Sequence, residues 1–288
     1  MIRERRRASV GIDDANDVAI VGMACLFPGA PDLESYWHNI LSRYDAISEP
    51  PPDMPEMERF FEANSSAEDR IYCKRGGFLG PLSGFDPAEY GVMPSSARGG
   101  EPDQWLALKV AHEAFADAGY RGEIAERHRA AVVLGKGNYP NRGNLAAAQH
   151  GPAIDEILSL LGALHPEFTP EDFRLVKEEL QRQVPPFRND TVPGLIPNIT
   201  AGRIANRLDL MGPSYTVDAA CASSLIALGH AVGYLRSGEC DLALVGGVHA
   251  ATPLLLSLSF CRLGALSHRQ EIRPFDGDAD GTILGEGV

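Results

Sequence analysis

The chain has 288 residues, 44% of them hydrophobic and 23% charged. These are ordinary globular values, with length enough for a sizeable core in one large domain or two smaller ones. A formal charge of −13 opposes broad nucleic-acid binding, which needs a basic surface to displace phosphate counterions.

Residues 1–16 read as a polar arm or linker. Its cluster Arg3, Arg5, Arg6 and Arg7 is open to three readings: a solvated arm, a linker from an upstream module or a docking handle. The start lacks the apolar core and cleavage site of a secretory signal, and no apolar run has membrane-spanning length, so a cytoplasmic enzyme is expected, with no membrane partner. Cys25, Cys73, Cys221, Cys240 and Cys261 are odd in number and form neither a CxxC pair nor a metal-finger spacing, which assigns no metal and no disulfide.

Residues 18–21 have the apolar character of a first buried strand, and residues 33–41 that of a helix. The proline-dense stretch 49–55 is a breaker-rich loop, because proline removes amide donors. Arg75-Gly76-Gly77 lies in a further loop. Residues 104–118 fit a long amphipathic helix ending at Gly119, and Ala130–Gly135 a short buried strand. The pattern then changes over an insertion at about 138–197, with helical stretches at 153–164 and 171–183. A structured excursion is expected there, since long structureless loops are rare in compact domains. Its histidines, His150 and His165, carry no signal beyond ordinary polar residues.

Asn198 is placed to cap a helix over 199–208, whose Gly202 would permit close packing beneath the next strand. Gly212-Pro213 turns the chain into a strand at Tyr215, Thr216 and Val217. After Cys221 a helical pattern begins, with Leu225, Ile226, Leu228, Gly229, Val232 and Leu235 recurring until Gly238, suited to the left-handed C-terminal position. Roughly 16 residues give about 24 Å of helix, and apolar positions on more than one face predict a buried central helix. Residues 242–248 read as a parallel strand, because a helix separates them from the Tyr215 strand. The alternation defines α/β architecture with right-handed crossovers.

Cys221 sits between that strand and helix. At the positive end of the helix dipole, unpaired amides favour a thiolate over a thiol. Ala220 and Ala222 leave room for a carbonyl, and the Cys221 amide can point at the developing oxyanion. Geometry alone leaves two readings open, an activated nucleophile or a small buried hydrophobe at a tight helix–strand contact.

The segment Val217-Asp218-Ala219-Ala220-Cys221-Ala222-Ser223-Ser224-Leu225 closely resembles the active-site signature of β-ketoacyl synthases, especially ketosynthase domains of type I polyketide synthases and polyunsaturated fatty acid synthases. The resemblance extends to Val18-Ala19-Ile20-Val21-Gly22-Met23-Ala24-Cys25, Phe85-Asp86-Pro87, Glu101-Pro102-Asp103-Gln104, Gly202-Arg203-Ile204-Ala205 and Arg273-Pro274-Phe275-Asp276, in the order the family shows. It covers nearly all of 17–288. As an ordered set these pieces are far more specific than any one of them.

The resemblance implies a thiolase-like layered α/β fold, of which this sequence holds the N-terminal half only. It implies a cysteine, here Cys221, that accepts an acyl group from an acyl carrier protein for decarboxylative Claisen condensation. No cofactor is bound directly; phosphopantetheine arrives on the carrier. A homodimer formed through the strand before the nucleophile is implied for the complete domain. The family's two histidine motifs and its lysine are absent from this sequence, and His38, His112, His128, His150, His165, His230, His249 and His268 have no matching context. His249, after the Gly246-Gly247 strand end, is expected to be a packed, hydrogen-bonded residue. The alternative to an acyltransferase fragment is a noncatalytic dimerisation or carrier-docking module. Retention of Cys221 favours the elongating enzyme, because resembled partner and loading domains replace that cysteine.

Overall fold

A computed structural model describes residues 17–120, 122 and 124–288. The arginine-rich segment 1–16 lies outside the described residues.

Ala130–Gly135 contributes small and branched apolar side chains that can be covered on both faces, and it forms β1, buried along its whole length. With β2 (Ser214–Val217) and β3 (Leu242–Gly247) it makes a parallel three-stranded sheet in the order β2-β1-β3. Val132 stands opposite both Ser214 and Leu244, and Gly135 opposite both Val217 and Gly247. Alternation along β1 sorts the two layers. Ala130, Val132 and Leu134 enter one core, while Ala131 and Val133 enter the other.

The helices are α1 (Leu33–Ser42), α2 (Pro55–Phe60), α3 (Pro94–Gly99), α4 (Pro102–Asp117), α5 (Arg142–Ala148), α6 (Ile154–Leu164), α7 (Pro170–Gln183), α8 (Ile199–Arg207), α9 (Ser223–Arg236) and α10 (Leu254–Arg262). Among the described residues none is long and apolar enough to cross a membrane. Asp32 caps α1 by accepting the Ser35 amide at 2.8 Å, and α4 ends before Gly119, whose φ of +90° breaks the helix. α4 buries Leu106, Val110 and Phe115 with Ile204 of α8 against Val132, forming the larger core. α9 lies on the opposite face, where Ala227 packs with Ala131, Val133 and Cys240.

Residues 138–197 hold the helices α5, α6 and α7. Phe168 and Phe173 meet edge to face at 5.7 Å, and a Cβ on Gly162 of α6 would lie 3.3 Å from the Phe173 ring. Thr169 and Asp172 form a reciprocal capping box at the start of α7.

Four expectations are corrected. Residues 18–21 form no strand, and Ile20 is 74% exposed. This segment is held by α4 instead, through a 2.8 Å bond from the Met23 amide to Asp117 and contact of Gly22 with Ala114 and Ala118. A cleft of about 830 Å³ lies between it and β3. α9 is not a buried central helix: only Ser223, Ala227 and Ala231 are buried, and Leu225 is 72% exposed, because the sheet covers one side of the helix alone. Asn198 precedes α8 without capping it; its side-chain oxygen accepts the Thr216 amide at 3.2 Å and so ties α8 to β2. Gly202 makes no close approach, since a Cβ there would meet nothing within 4 Å.

The close approach occurs at Gly135. A Cβ there would fall 2.4 Å from the Ser224 nitrogen and 2.5 Å from the Ser223 carbonyl carbon, and one on Gly247 would fall 2.9 Å from the Ser224 Cβ. Gly135→Ala is therefore expected to destabilise the chain by about 1–3 kcal/mol through overpacking. Gly202→Ala, in open helix, is expected to stabilise it by about 0.5–1 kcal/mol. Urea unfolding of the two variants checks the pair: equal midpoints would disprove the contact.

Candidate active site

β2 ends at Val217, and residues 218–222 turn the chain into α9. Ala220 has φ +50°, a left-handed conformation that opposes its Cβ. Two side chains hold the turn. Ser223, 6% exposed, accepts the Ala219 amide at 2.9 Å and donates to the Ala220 carbonyl at 2.6 Å. Asp218 accepts the Ala220 amide on Oδ1 at 2.9 Å and the Asn138 amide on Oδ2 at 2.9 Å. These backbone bonds, to Ala220 first and then to Asn138, hold the Asp218 carboxyl below the usual aspartate range.

The amide of Ala222 donates to the Ala219 carbonyl and that of Ser223 to the Ala220 carbonyl, each at 3.1 Å. Of the amides of residues 219–223, only that of Cys221 lacks a partner among the described residues. The Cys221 side chain is exposed, whereas Cys25, Cys73, Cys240 and Cys261 are buried. The reading of Cys221 as a small buried hydrophobe thus does not hold. Burial raises the thiols of Cys25 and Cys240, and pushes that of Cys73 up to about 11.

A second polar cluster, which the sequence reading did not anticipate, lines a cavity of about 990 Å³ beyond the C-terminal ends of the strands. Lys136, one residue past β1, forms a buried ion pair with Asp103 at the start of α4, and Asp103 also accepts the Ala250 amide at 2.7 Å. Glu101 accepts the Gly143 amide at 2.9 Å, and Glu286 accepts the amides of Leu79 at 2.8 Å and Thr252 at 2.9 Å. Desolvation raises both glutamates against these bonds. Each carboxylate fastens a segment distant in sequence: Glu101 the start of α5, and Asp103 and Glu286 loops. The one signal for them was the Glu101-Pro102-Asp103-Gln104 motif, whose acids have no periodicity to mark them as buried.

His249 belongs to this cavity wall. Its Nε2 lies 3.4 Å from the Thr252 hydroxyl, and burial, then the charge of Lys136, lowers its pKa. His230 pairs with the Tyr215 hydroxyl at 2.9 Å, His150 with the Pro185 carbonyl at 2.8 Å, and His165 with Glu167 at 2.9 Å.

The parallel sheet with its cysteine turn and crossing helix superposes on solved ketosynthases, which places the chain in a thiolase-like α/β fold. The family described as "Beta-ketoacyl synthase, N-terminal domain" matches residues 15–288, and the chain belongs to it. It is 31% identical over 271 residues to a polyunsaturated fatty acid synthase component from a Thraustochytrium species, covering 94% of this chain and 9% of that protein. It is 34% identical over 280 residues to the pikromycin polyketide synthase component PikAII of Streptomyces venezuelae, covering 96% of this chain and 6% of that protein. An oxazolomycin ketosynthase domain from Streptomyces albus superposes with a TM-score of 0.73 at 27% identity, covering 93% of this chain and 40% of that one. The chain thus spans less than a tenth of these curated relatives and under half of the solved ketosynthase.

Because one thiol is exposed and four are buried, iodoacetamide is expected to alkylate Cys221 first. Peptide mapping after brief labelling of the folded chain checks this, and earlier modification at Cys25, Cys73, Cys240 or Cys261 would refute it.

Proposed function

We propose that these residues form the acylation half of a ketosynthase, with Cys221 as the acyl-accepting nucleophile. The observation that carries the reading is the exposed thiol beside an unpartnered amide of its own residue, at the turn where the chain bears the family's cysteine signature. The Cys221 sulfur attacks the thioester carbonyl of an acyl group delivered on the phosphopantetheine arm of an acyl carrier protein. A carbon–sulfur bond to Cys221 forms, and the carbonyl oxygen takes the electron pair as an oxyanion facing the Cys221 amide. Collapse breaks the bond to the pantetheine sulfur, which leaves as a thiolate and takes up the proton released by Cys221. The acyl-enzyme then waits for a carrier-bound malonyl-type unit, whose decarboxylation supplies the carbon nucleophile for condensation.

Decarboxylation needs groups that polarise the extender carbonyl. The family's histidine motifs do not occur in these 288 residues, and His230 and His249 are engaged elsewhere. The reading therefore includes a complete domain that is a homodimer, with the open edge of β2 as the contact between copies.

Incubation with hexanoyl-N-acetylcysteamine is expected to add one hexanoyl group to the Cys221 peptide, an adduct missing from Cys221→Ala. Labelled malonyl carrier protein is expected to release no carbon dioxide above that of the Cys221→Ala chain. Hexanoylation spread over several residues would defeat the nucleophile assignment, and a β-ketoacyl product from this chain alone would defeat the division of labour.

A further inference from the structure

Asp218 carries two backbone hydrogen bonds that lead to different parts of the fold. Oδ1 takes the amide of Ala220, the left-handed residue immediately before Cys221. Oδ2 takes the amide of Asn138, in the loop that leaves the C-terminal end of β1. That loop is already anchored nearby, because the Lys136 amide donates to the Val217 carbonyl at 3.0 Å and prolongs the β1–β2 ladder. On the other side of the turn, Ser223 closes a local ring with Ala219 and Ala220, so its side-chain hydrogen bonds stay within the turn. Asp218 is thus the side chain that joins the nucleophile turn to the loop over β1.

We propose that Asp218 is a positioning residue for Cys221, fixing the direction of the Cys221 amide relative to its sulfur by clamping Ala220 to the loop at Asn138. The inference rests on the acyl-transfer reading above. Its physical content is a division between the two partners of the turn. Ser223 is buried and makes the turn form; Asp218 is exposed and sets where the formed turn points. Alkylation by a small electrophile needs only an accessible sulfur. Acyl transfer needs the sulfur and the amide aimed at the same carbonyl. Loss of the clamp therefore affects the two reactions unequally, which a general loosening of the fold does not do.

The test uses the whole chain with Asp218→Ala, Asp218→Asn and Ser223→Ala. For Asp218→Ala, hexanoylation of Cys221 by hexanoyl-N-acetylcysteamine is expected to fall about 10- to 100-fold, below the loss from deleting an oxyanion donor outright, while iodoacetamide alkylation changes less than about 3-fold. Asp218→Asn keeps one acceptor oxygen for two amides and is expected to recover part of the rate. Amide exchange by mass spectrometry supplies a readout independent of acylation. Asp218→Ala is expected to speed exchange at both 136–140 and 218–223, and Ser223→Ala at 218–223 alone. Equal losses in hexanoylation and alkylation, or unchanged exchange at 136–140 in Asp218→Ala, overturn the proposal. A wild-type chain that alkylates at Cys221 but never acylates overturns the acyl-transfer reading, and exchange at 136–140 then decides the clamp by itself.

Discussion

The close seating of α9 on the ends of β1 and β3 governs the placement of everything else. Gly135 and Gly247 stand opposite each other in the sheet, and the absence of a Cβ at both lets the Ser223–Ser224 backbone descend to the strand ends. The turn between β2 and α9 must be short to reach that position, which leaves Cys221 just ahead of the helix with its amide unused. The same geometry sets the crossover: the chain leaves β2 at one edge, passes over β1 and returns as β3 at the other. The opposite face of the sheet packs against α4 and α8, with a cleft left along β3, so the two faces have separate roles. One holds the larger core, and the other holds the smaller core beneath the helix that follows the thiol.

The parts of this arrangement that the sequence made legible are those fixed by local chemistry. The apolar run of β1, the stop at Gly119 and the left-handed Gly238 each follow from neighbouring residues, and each lies where such chemistry places it. The cysteine turn was legible for another reason, its resemblance to a known signature. Partner-dependent features were not legible. Residues 18–21 are apolar enough for a strand, yet their amides need an adjacent strand edge, and the neighbouring Met23 amide bonds to Asp117 of α4 instead. α9 has the apolar pattern of a buried helix, but burial depends on what lies on both sides, and here the sheet covers one. Asn198 stands at a helix start and still spends its side chain on β2. The buried acids Glu101 and Glu286 bind amides far away in the chain, a choice that no local pattern records.

The glycines teach the same lesson in reverse. Gly135 and Gly202 each follow or interrupt an apolar run, and sequence alone suggested the second as the close-packing site. The contact belongs to the first, because only there does another backbone arrive within 3 Å of the missing Cβ. What selects glycine at a strand end is the helix that crosses it, not the strand itself.

The energetics of the turn explain why two side chains are needed. A left-handed alanine costs about 1–2 kcal/mol, and the two hydrogen bonds of buried Ser223 contribute about 0.5–1.5 kcal/mol each. These balance, so Ser223 suffices to make the strained Ala220 conformation persist. The bonds of Asp218 are exposed to competing water and add little further stability. Their importance is geometric. A turn held only by its own ring can rotate as a unit about its two ends, whereas one tied to Asn138 shares the rigidity of the β1–β2 ladder. The acyl transfer proposed for Cys221 aims sulfur and amide at the same carbonyl, which asks more for rigidity than for extra stability, and an exposed carboxylate with two divergent backbone partners supplies it.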